Sequence, residues 1–398
     1  MNSQYLHTLV VVSIALITFT TFSKCSISTE HGPVGKPWRL HVIDSTTDGS
    51  DGVRIGDFNL DGRTDLISGA EESGFTRVYL HEGEEQYSLL DFPSPSVEDA
   101  LFYDFDEDGQ MEILTFSEGK TREIGLHQLG VDGKVQSQPL TSTRGIQWMY
   151  GLITDLDGRP PAEVIAGSKG DDAMVGWLEI PGNINDPLGW QLHPIARAGW
   201  IMSLESTDVN GDGHADVLVS DRYGPDAGIR WFEHPGDSLQ KPWKEHVVGL
   251  QGLKPMFLTL FDLNNDGFED ILVPDETNGL YYFEKISTGG LYKPDSLLFS
   301  YPSFTGKRGK SVVCSDIDHD GTTEIITSYE LAERAHGVIY SKLKKGIWKH
   351  YAISGLPGIK YDQLVLHDMD GDGDQDVLTT EENEGDKGLG VIWYENPF

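Results

Sequence analysis

The chain reads as an all-β protein, a seven-bladed β-propeller of four-stranded antiparallel blades. Three observations predict it. An acidic loop recurs seven times, starting at Asp57, Asp104, Ile153, Asp208, Asp262, Asp316 and Asp368, with starts 47, 49, 55, 54, 54 and 52 residues apart. A fixed period near fifty residues marks a repeat architecture. Short apolar runs without helical periodicity surround each loop, about four per repeat, which is the content of a propeller blade. The chain also starts and stops out of phase with its repeats: residues 38–43 have the pattern of a fourth strand and residues 391–395 that of a third. The first must then complete the last blade, which removes the free edges of an open array.

Residues 1–23 carry no Lys, Arg, Asp or Glu, and residues 9–19 are nearly all apolar. Such a run is too short to span a bilayer and has the character of a secretory h-region. Residues 1–28 are therefore expected to be a signal peptide and short leader, cleaved after Ser23 or Ser28, which sends the mature chain to an extracellular or periplasmic location. Lys24 makes Cys25 a poor lipid-attachment site, and no later stretch is apolar enough to be a transmembrane anchor. Residues 34–398 then form a single propeller domain.

The blade elements follow in order. A short apolar strand precedes each loop, as in Met256-Phe-Leu-Thr-Leu-Phe261, and a second follows it, as in Asp270-Ile-Leu-Val273. A third carries an aromatic residue two before Glu, at Trp177 and Glu179, Trp231 and Glu233, Tyr282 and Glu284, and Trp393 and Glu395. A fourth opens with Trp and His three apart, at Trp38 and His41, Trp190 and His193, and Trp243 and His246, with a shortened form at Trp348 and His350. Because these pairs recur in several blades, they are read as packing residues rather than metal ligands or catalysts.

The loops carry the chemistry. Acidic or amide side chains at the first, third and fifth positions converge only if the chain turns sharply, which Gly at the sixth position permits. The ninth position returns a carboxylate. An all-oxygen cage suits a hard cation, calcium above all. The expected ligands are Asp57, Asn59, Asp61 and Asp65 in the first loop and Asp104, Asp106, Asp108 and Glu112 in the second. Asp208, Asn210, Asp212 and Asp216 follow, then Asp262, Asn264, Asp266 and Asp270. Asp316, Asp318, Asp320 and Glu324 serve the sixth loop, and Asp368, Asp370, Asp372 and Asp376 the seventh. The third departs, with Ile153 in the first position and Arg159-Pro-Pro161 lengthening the loop before Glu163, so about six Ca2+ sites are expected. The bland alternative is a set of solvated acidic turns.

The formal charge of −34 includes no basic footprint, which excludes nucleic acid as a partner. Acidic loops without metal repel themselves, so the fold is expected to depend on calcium. With two cysteines, one of them Cys25, there is no disulfide framework, and Cys314 reads as a small buried hydrophobe.

The Asp-x-Asp/Asn-x-Asp-Gly-x-x-Asp/Glu loops resemble FG-GAP (VCBS-type) repeats, the calcium-binding blades of integrin α-subunit propellers and many secreted bacterial proteins. The resemblance covers roughly residues 34–398. The FG and GAP signatures themselves are not evident, so an integrin-like role is not implied. Segments such as Gly228-Ile-Arg-Trp-Phe-Glu-His-Pro-Gly236 also resemble, more loosely, the propeller domain of aldos-2-ulose dehydratases. The FG-GAP resemblance implies that the calcium loops share one face. The opposite face is then built from the entries to the innermost strands and from the loops between second and third strands.

Six residues before each loop stand Asp51, Glu98, Gln147, Met202, Met256, Lys310 and Asp362. Asp99, Trp148, Tyr150, Trp200, Lys254, Arg308, Lys360 and Tyr361 are their neighbours. The second loop set adds Glu71, Glu72, Lys169, Asp221, Arg222, Asp275, Glu276, Glu381 and Glu382. If these converge, the channel mouth holds cations, carboxylates and aromatic rings, a suitable lining for a sugar. The expected ligand-binding residues are Asp51, Glu98, Gln147, Trp148, Trp200, Asp221, Arg222, Lys254, Asp275, Glu276 and Glu381. Three functions stay open: a recognition propeller for a carbohydrate or another extracellular protein, a carbohydrate lyase or dehydratase, and a structural scaffold. For the lyase, Lys310, Tyr150 or Lys360 would take the proton, with Arg308, Arg222 or a metal steadying the enolate and Asp362 a further candidate. A solvated rim of ion pairs is the plain alternative.

Overall fold

Each repeat contributes a four-stranded antiparallel sheet, and seven such sheets are present in the computed structural model, which describes residues 32–382 and 387–398. The leader expected at residues 1–28, Cys25 included, lies outside the described residues. Among the described residues no helix is long and apolar enough to cross a membrane. Strand order within a blade follows chain order, for example Ile201–Thr207, Asp216–Asp221, Gly228–Glu233 and Lys244–Gly249 in the fourth. The expected closure is present: Arg39–Asp44 pairs antiparallel with Gly390–Glu395 of the last blade, with Arg39 opposite Glu395.

Second strands are the most buried. Every residue of Asp65–Ala70, Glu112–Ser117, Asp216–Asp221 and Asp376–Glu381 is buried. Their side chains alternate between the two faces of a blade, and each face packs on a neighbouring blade. The core is therefore a ring of interblade layers, such as Ile165 and Trp177 against Ile201, Leu204 and Val217. Fourth strands form the outer rim and are largely exposed, as in Lys244–Gly249.

The recurring Trp, Glu and His form one structural unit. His41 lies opposite Trp393, His193 opposite Trp177, and His246 opposite Trp231. The rings stack at 3.9, 4.3 and 3.9 Å. Each imidazole also bonds the Glu two residues beyond its Trp, at 2.7 Å to Glu395, 2.9 Å to Glu179 and 2.7 Å to Glu233. These are cross-strand packing pairs, as expected. Cys314 is a free, partly buried thiol packed against Leu272 and its neighbours.

Candidate functional site

The acidic loops share a backbone design. The ninth-position carboxylate accepts a hydrogen bond from the N–H of the second loop residue in all seven: Phe58 to Asp65, Phe105 to Glu112, Leu156 to Glu163, Val209 to Asp216, Leu263 to Asp270, Ile317 to Glu324 and Met369 to Asp376, at 2.8–3.2 Å. In every loop but the third, the first carboxylate accepts from the backbone at the fifth and sixth positions, as Asp57 does from Asp61 and Gly62 at 3.0 and 2.8 Å. The sixth residue is glycine with φ of 84–100° at Gly62, Gly109, Gly213, Gly267, Gly321 and Gly373, a region other residues enter at a cost.

This pattern corrects the third loop. Leu156 is its second residue, so Asp155 is the first, and the loop is no longer than the others. Ile153 belongs to the strand Gln147–Thr154, opposite Val164. Asp155, Asp157 and Glu163 bring donor atoms within 4.8 Å of one another, while Arg159 takes the fifth position in place of a carboxylate. The same convergence holds for Asp104, Asp106 and Asp108. Burial pushes the ninth-position carboxyls up, to about 6 for Asp216, Asp270 and Asp376 and about 7 for Glu112. Carboxylates gathered this tightly fit a hard divalent cation, which would return them to the ionised form.

At the opposite end of the innermost strands the channel opens into a cavity of about 320 Å3. β-Bulges build part of its wall. The ladder skips one residue between Val97 and Asp99, Trp148 and Tyr150, and Ile201 and Ser203, and two between Gly309 and Val312. The skipped residues include Glu98, Met149, Met202 and Lys310, and all four line the cavity. A bulge leaves its extra residue off the ladder and re-aims its side chain. A second tier stands six residues after each ninth-position carboxylate and includes Glu71, Glu118, Lys169, Arg222 and Glu330.

Charges of opposite sign alternate around this mouth. Arg222 meets Glu276 at 2.6 Å, and Glu276 also holds Lys254 at 2.8 Å. Arg308 lies 2.7 Å from Glu330, and Lys310 lies 3.2 Å from Asp362. Lys360 reaches Asp51 at 2.7 Å and Asp362 at 3.6 Å and also pairs with Glu382. Lys169 pairs with Glu118 and lies 3.4 Å from Glu98. Trp200 sits within this girdle, with Lys169 4.4 Å and Arg222 5.0 Å from its ring. Its indole N–H is buried without a hydrogen-bond acceptor in the described protein. Deeper, Arg54 forks onto Asp99 at 3.0 and 2.6 Å and covers the Tyr150 ring at 4.4 Å, while Gln363 donates to the Tyr150 hydroxyl at 2.8 Å.

The electrostatics assign protonation states. Burial, then the charge on Asp51, pushes the Glu98 carboxyl up to about 8. Burial also raises the Tyr150 hydroxyl, so it stays a phenol at neutral pH. Burial alone would lower Lys360, but Asp51, Asp362 and Glu382 hold its ammonium well above the ordinary lysine value. Tyr150 and Lys360, expected as candidate bases, are thus held protonated. The Glu98 shift has a signed consequence. A folded value of about 8 against an ordinary 4.5 means that Glu98 favours the folded state fully below about 4.5 and loses that contribution as pH rises to 8. Glu98→Gln should therefore raise the melting temperature relative to wild type at pH 9 and change it little at pH 4. Equal shifts at both pH values would remove Glu98 as the titrating group.

Of the expected pocket residues, Lys310, Arg308, Tyr150, Lys360, Asp362, Asp51, Glu98, Trp200 and Arg222 come together on the cavity wall. Others do not reach it. Trp148 is fully buried between blades and donates to the Thr143 carbonyl at 2.9 Å, and Gln147 stays on the ladder opposite Lys169. Asp221, Asp275 and Glu381 stand one residue short of the cavity tier, so alternation turns them into the blade. There Asp221 pairs with Arg230 at 2.8 Å, Asp275 accepts from the Lys254 amide at 2.8 Å, and Glu381 accepts from the Ile359 amide at 2.9 Å. Lys254 and Glu276 join the girdle as a pair at its edge. Sequence reasoning missed Met149, which the two-residue register error in the third loop displaced to Gln147. It also missed Glu118 and Glu330, which stand at the same offset as Glu71 and Lys169 and were findable by that count.

The fold and loops define the class: a seven-bladed β-propeller with FG-GAP-like repeats. Residues 208–273 and 262–327 match the FG-GAP-like repeat family. The chain is similar to phosphatidylinositol-glycan-specific phospholipase D of Rattus norvegicus, 27% identical over 169 residues, covering 35% of this chain and 19% of that protein. The same protein of Mus musculus is 25% identical over 169 residues with the same coverage. The chain thus spans about a fifth of the length of these relatives. Among solved structures it resembles BBS1N, crystallised in complex with ARL6DN and soaked with mercury, with a TM-score of 0.55, 10% identity, and coverage of 90% of this chain and 96% of that one. That likeness is one of fold.

Proposed function

We propose that this chain is a secreted, calcium-stabilised recognition propeller whose central pocket binds a carbohydrate. The observation that carries the reading is the ion-paired girdle around Trp200, which lines the cavity and whose buried indole N–H has no acceptor among the described residues. Sugars present C–H faces that pack on an indole and hydroxyls that bridge carboxylates and guanidinium forks. The matched relatives are named for a phosphatidylinositol-glycan, which agrees with a glycan ligand; their phospholipase activity is not carried over. Calcium is assigned to the acidic loops on their donor chemistry, and secretion on residues 1–28.

A glycan-binding screen with the calcium-loaded chain tests the reading. Trp200→Ala should weaken any sugar found by about tenfold, equivalent to ~1.4 kcal/mol, with the melting temperature nearly unchanged. Undiminished binding by the variant would exclude this pocket. A lyase is the second reading, favoured by Glu98, a cavity-lining carboxyl that burial pushes up to about 8. Rising ultraviolet absorbance with acidic polysaccharides or keto-sugars would support it, and a flat trace across the panel would set it aside.

A further inference from the structure

The sixth acidic loop departs from the others in a way its own residues do not reveal. Asp316, Asp318, Asp320, Gly321 and Glu324 fit the repeat, and the loop has the same backbone scaffold: Asp316 accepts from the amides of Asp320 and Gly321 at 3.0 and 2.9 Å. Yet a cation already stands among the carboxylates. The Lys342 ammonium lies 2.8 and 2.7 Å from the two carboxylate oxygens of Asp318, 2.7 Å from Asp320 Oδ2 and 2.8 Å from Glu324 Oε1. Those are the third, fifth and ninth positions of the loop. The ammonium donates to Asp318 and stands at ion-pair distance from Asp320 and Glu324, so three carboxylates surround one cation. The Lys342 side chain is 4% exposed, so the charge is committed to this cage rather than to solvent.

Lys342 comes from the third strand, and its place there is diagnostic. Its predecessor Ser341 pairs with Ile325, the residue after the ninth position. By the same register, Leu178, Phe232, Phe283 and Tyr394 pair with Val164, Val217, Ile271 and Val377. The residues that follow them are Glu179, Glu233, Glu284 and Glu395. Four blades thus place a carboxylate where the sixth places a lysine, a reversal of two charge units beside an otherwise matching loop.

We infer that the sixth loop takes the Lys342 ammonium as its cation in place of calcium. This rests on the calcium reading of the other loops but concerns a residue outside every loop. A calcium ion needs six to eight oxygens at 2.3–2.6 Å, and in this loop it would have to displace the lysine and leave its charge nearby. One of the loop's negative charges is thereby compensated from within the blade, whatever the calcium concentration.

Native mass spectrometry of the full mature chain in calcium counts the ions. Lys342→Glu should bind one calcium more than wild type, and Asp318→Asn should bind the same number as wild type. The reverse exchange, Glu233→Lys in the fourth blade, should lose one. A calcium lost in Asp318→Asn, or no gain in a folded Lys342→Glu, overturns the inference. A second readout does not need calcium. In excess chelator, Lys342→Met should lower the melting temperature by several degrees, because three carboxylates then face one another without a counter-charge. An unchanged melt in chelator overturns the inference. If wild type binds no calcium at all, the calcium reading of the other loops falls, and the melt of Lys342→Met in chelator decides the role of Lys342 alone.

Discussion

Removing calcium with a strong chelator is expected to lower the melting temperature of this chain on the order of 10 °C. At free calcium about 100-fold above its Kd, each occupied loop adds about 2.7 kcal/mol. In a domain of a few hundred residues, 1 kcal/mol moves the midpoint by roughly 2 °C. Several loops lost together give the expected size. The sign follows from the charge. The chain carries −34 formally, and loops such as Asp104, Asp106 and Asp108 hold their oxygens within 4.8 Å. Without an ion those groups repel, so added monovalent salt should recover part of the loss by screening. Differential scanning calorimetry with and without chelator measures both effects. A melt unmoved by chelation would leave the loops as solvated turns.

Asp221→Ala is expected to cost the fold about 3–5 kcal/mol while acting on the pocket only through structure. Its carboxylate is fully buried, and its ion-pair partner Arg230 is 3% exposed. Alanine would leave that guanidinium without its buried counter-charge and would strip acceptors from the amides of Gly199 and Trp200, bound at 3.0 and 2.8 Å. The amide of Trp200 is among them, so Asp221 positions the residue proposed to stack on the ligand. Urea denaturation should show a large drop in midpoint. A loss under 1 kcal/mol would mean that Arg230 finds Glu245, 3.3 Å away in the structure, as a sufficient substitute.

Much of the molecule was legible from residue types alone. Seven loops at a near-constant spacing fixed the blade count, and the phase of the two ends predicted the pairing of residues 39–44 with 390–395. The Trp and His of the outer strands were read as packing residues, and His41, His193 and His246 stack on the Trp of the third strands across the sheet. The pocket was half legible. Counting six residues back from the loop found Asp51, Glu98, Lys310 and Asp362, because a fixed offset along a strand returns to the same height. It failed at Gln147, where Pro160-Pro161 obscured the loop register. The reading of the loops between second and third strands failed for Asp221, Asp275 and Glu381, because one residue along a strand reverses the side chain's direction.

The sequence by itself determined the local terms: which stretches form strands, where the chain turns at glycine, which side chains are chemically able to hold a hard cation, and how many blades repeat. These depend on neighbours a few residues apart, and the periodicity exposes them. Tertiary structure decided the rest. The bulges that put Glu98, Met149, Met202 and Lys310 into the channel arise from how each innermost strand meets its partner, and no residue type announces them. The girdle from Arg222 through Glu276, Arg308, Glu330, Lys310 and Asp362 to Lys360 joins four blades and exists only once those blades pack side by side. Lys342 is a surface-type residue eighteen positions after Glu324, and only strand pairing carries its ammonium into the sixth loop. Coulomb interactions depend on distance in space, and in a propeller that distance is set by closure.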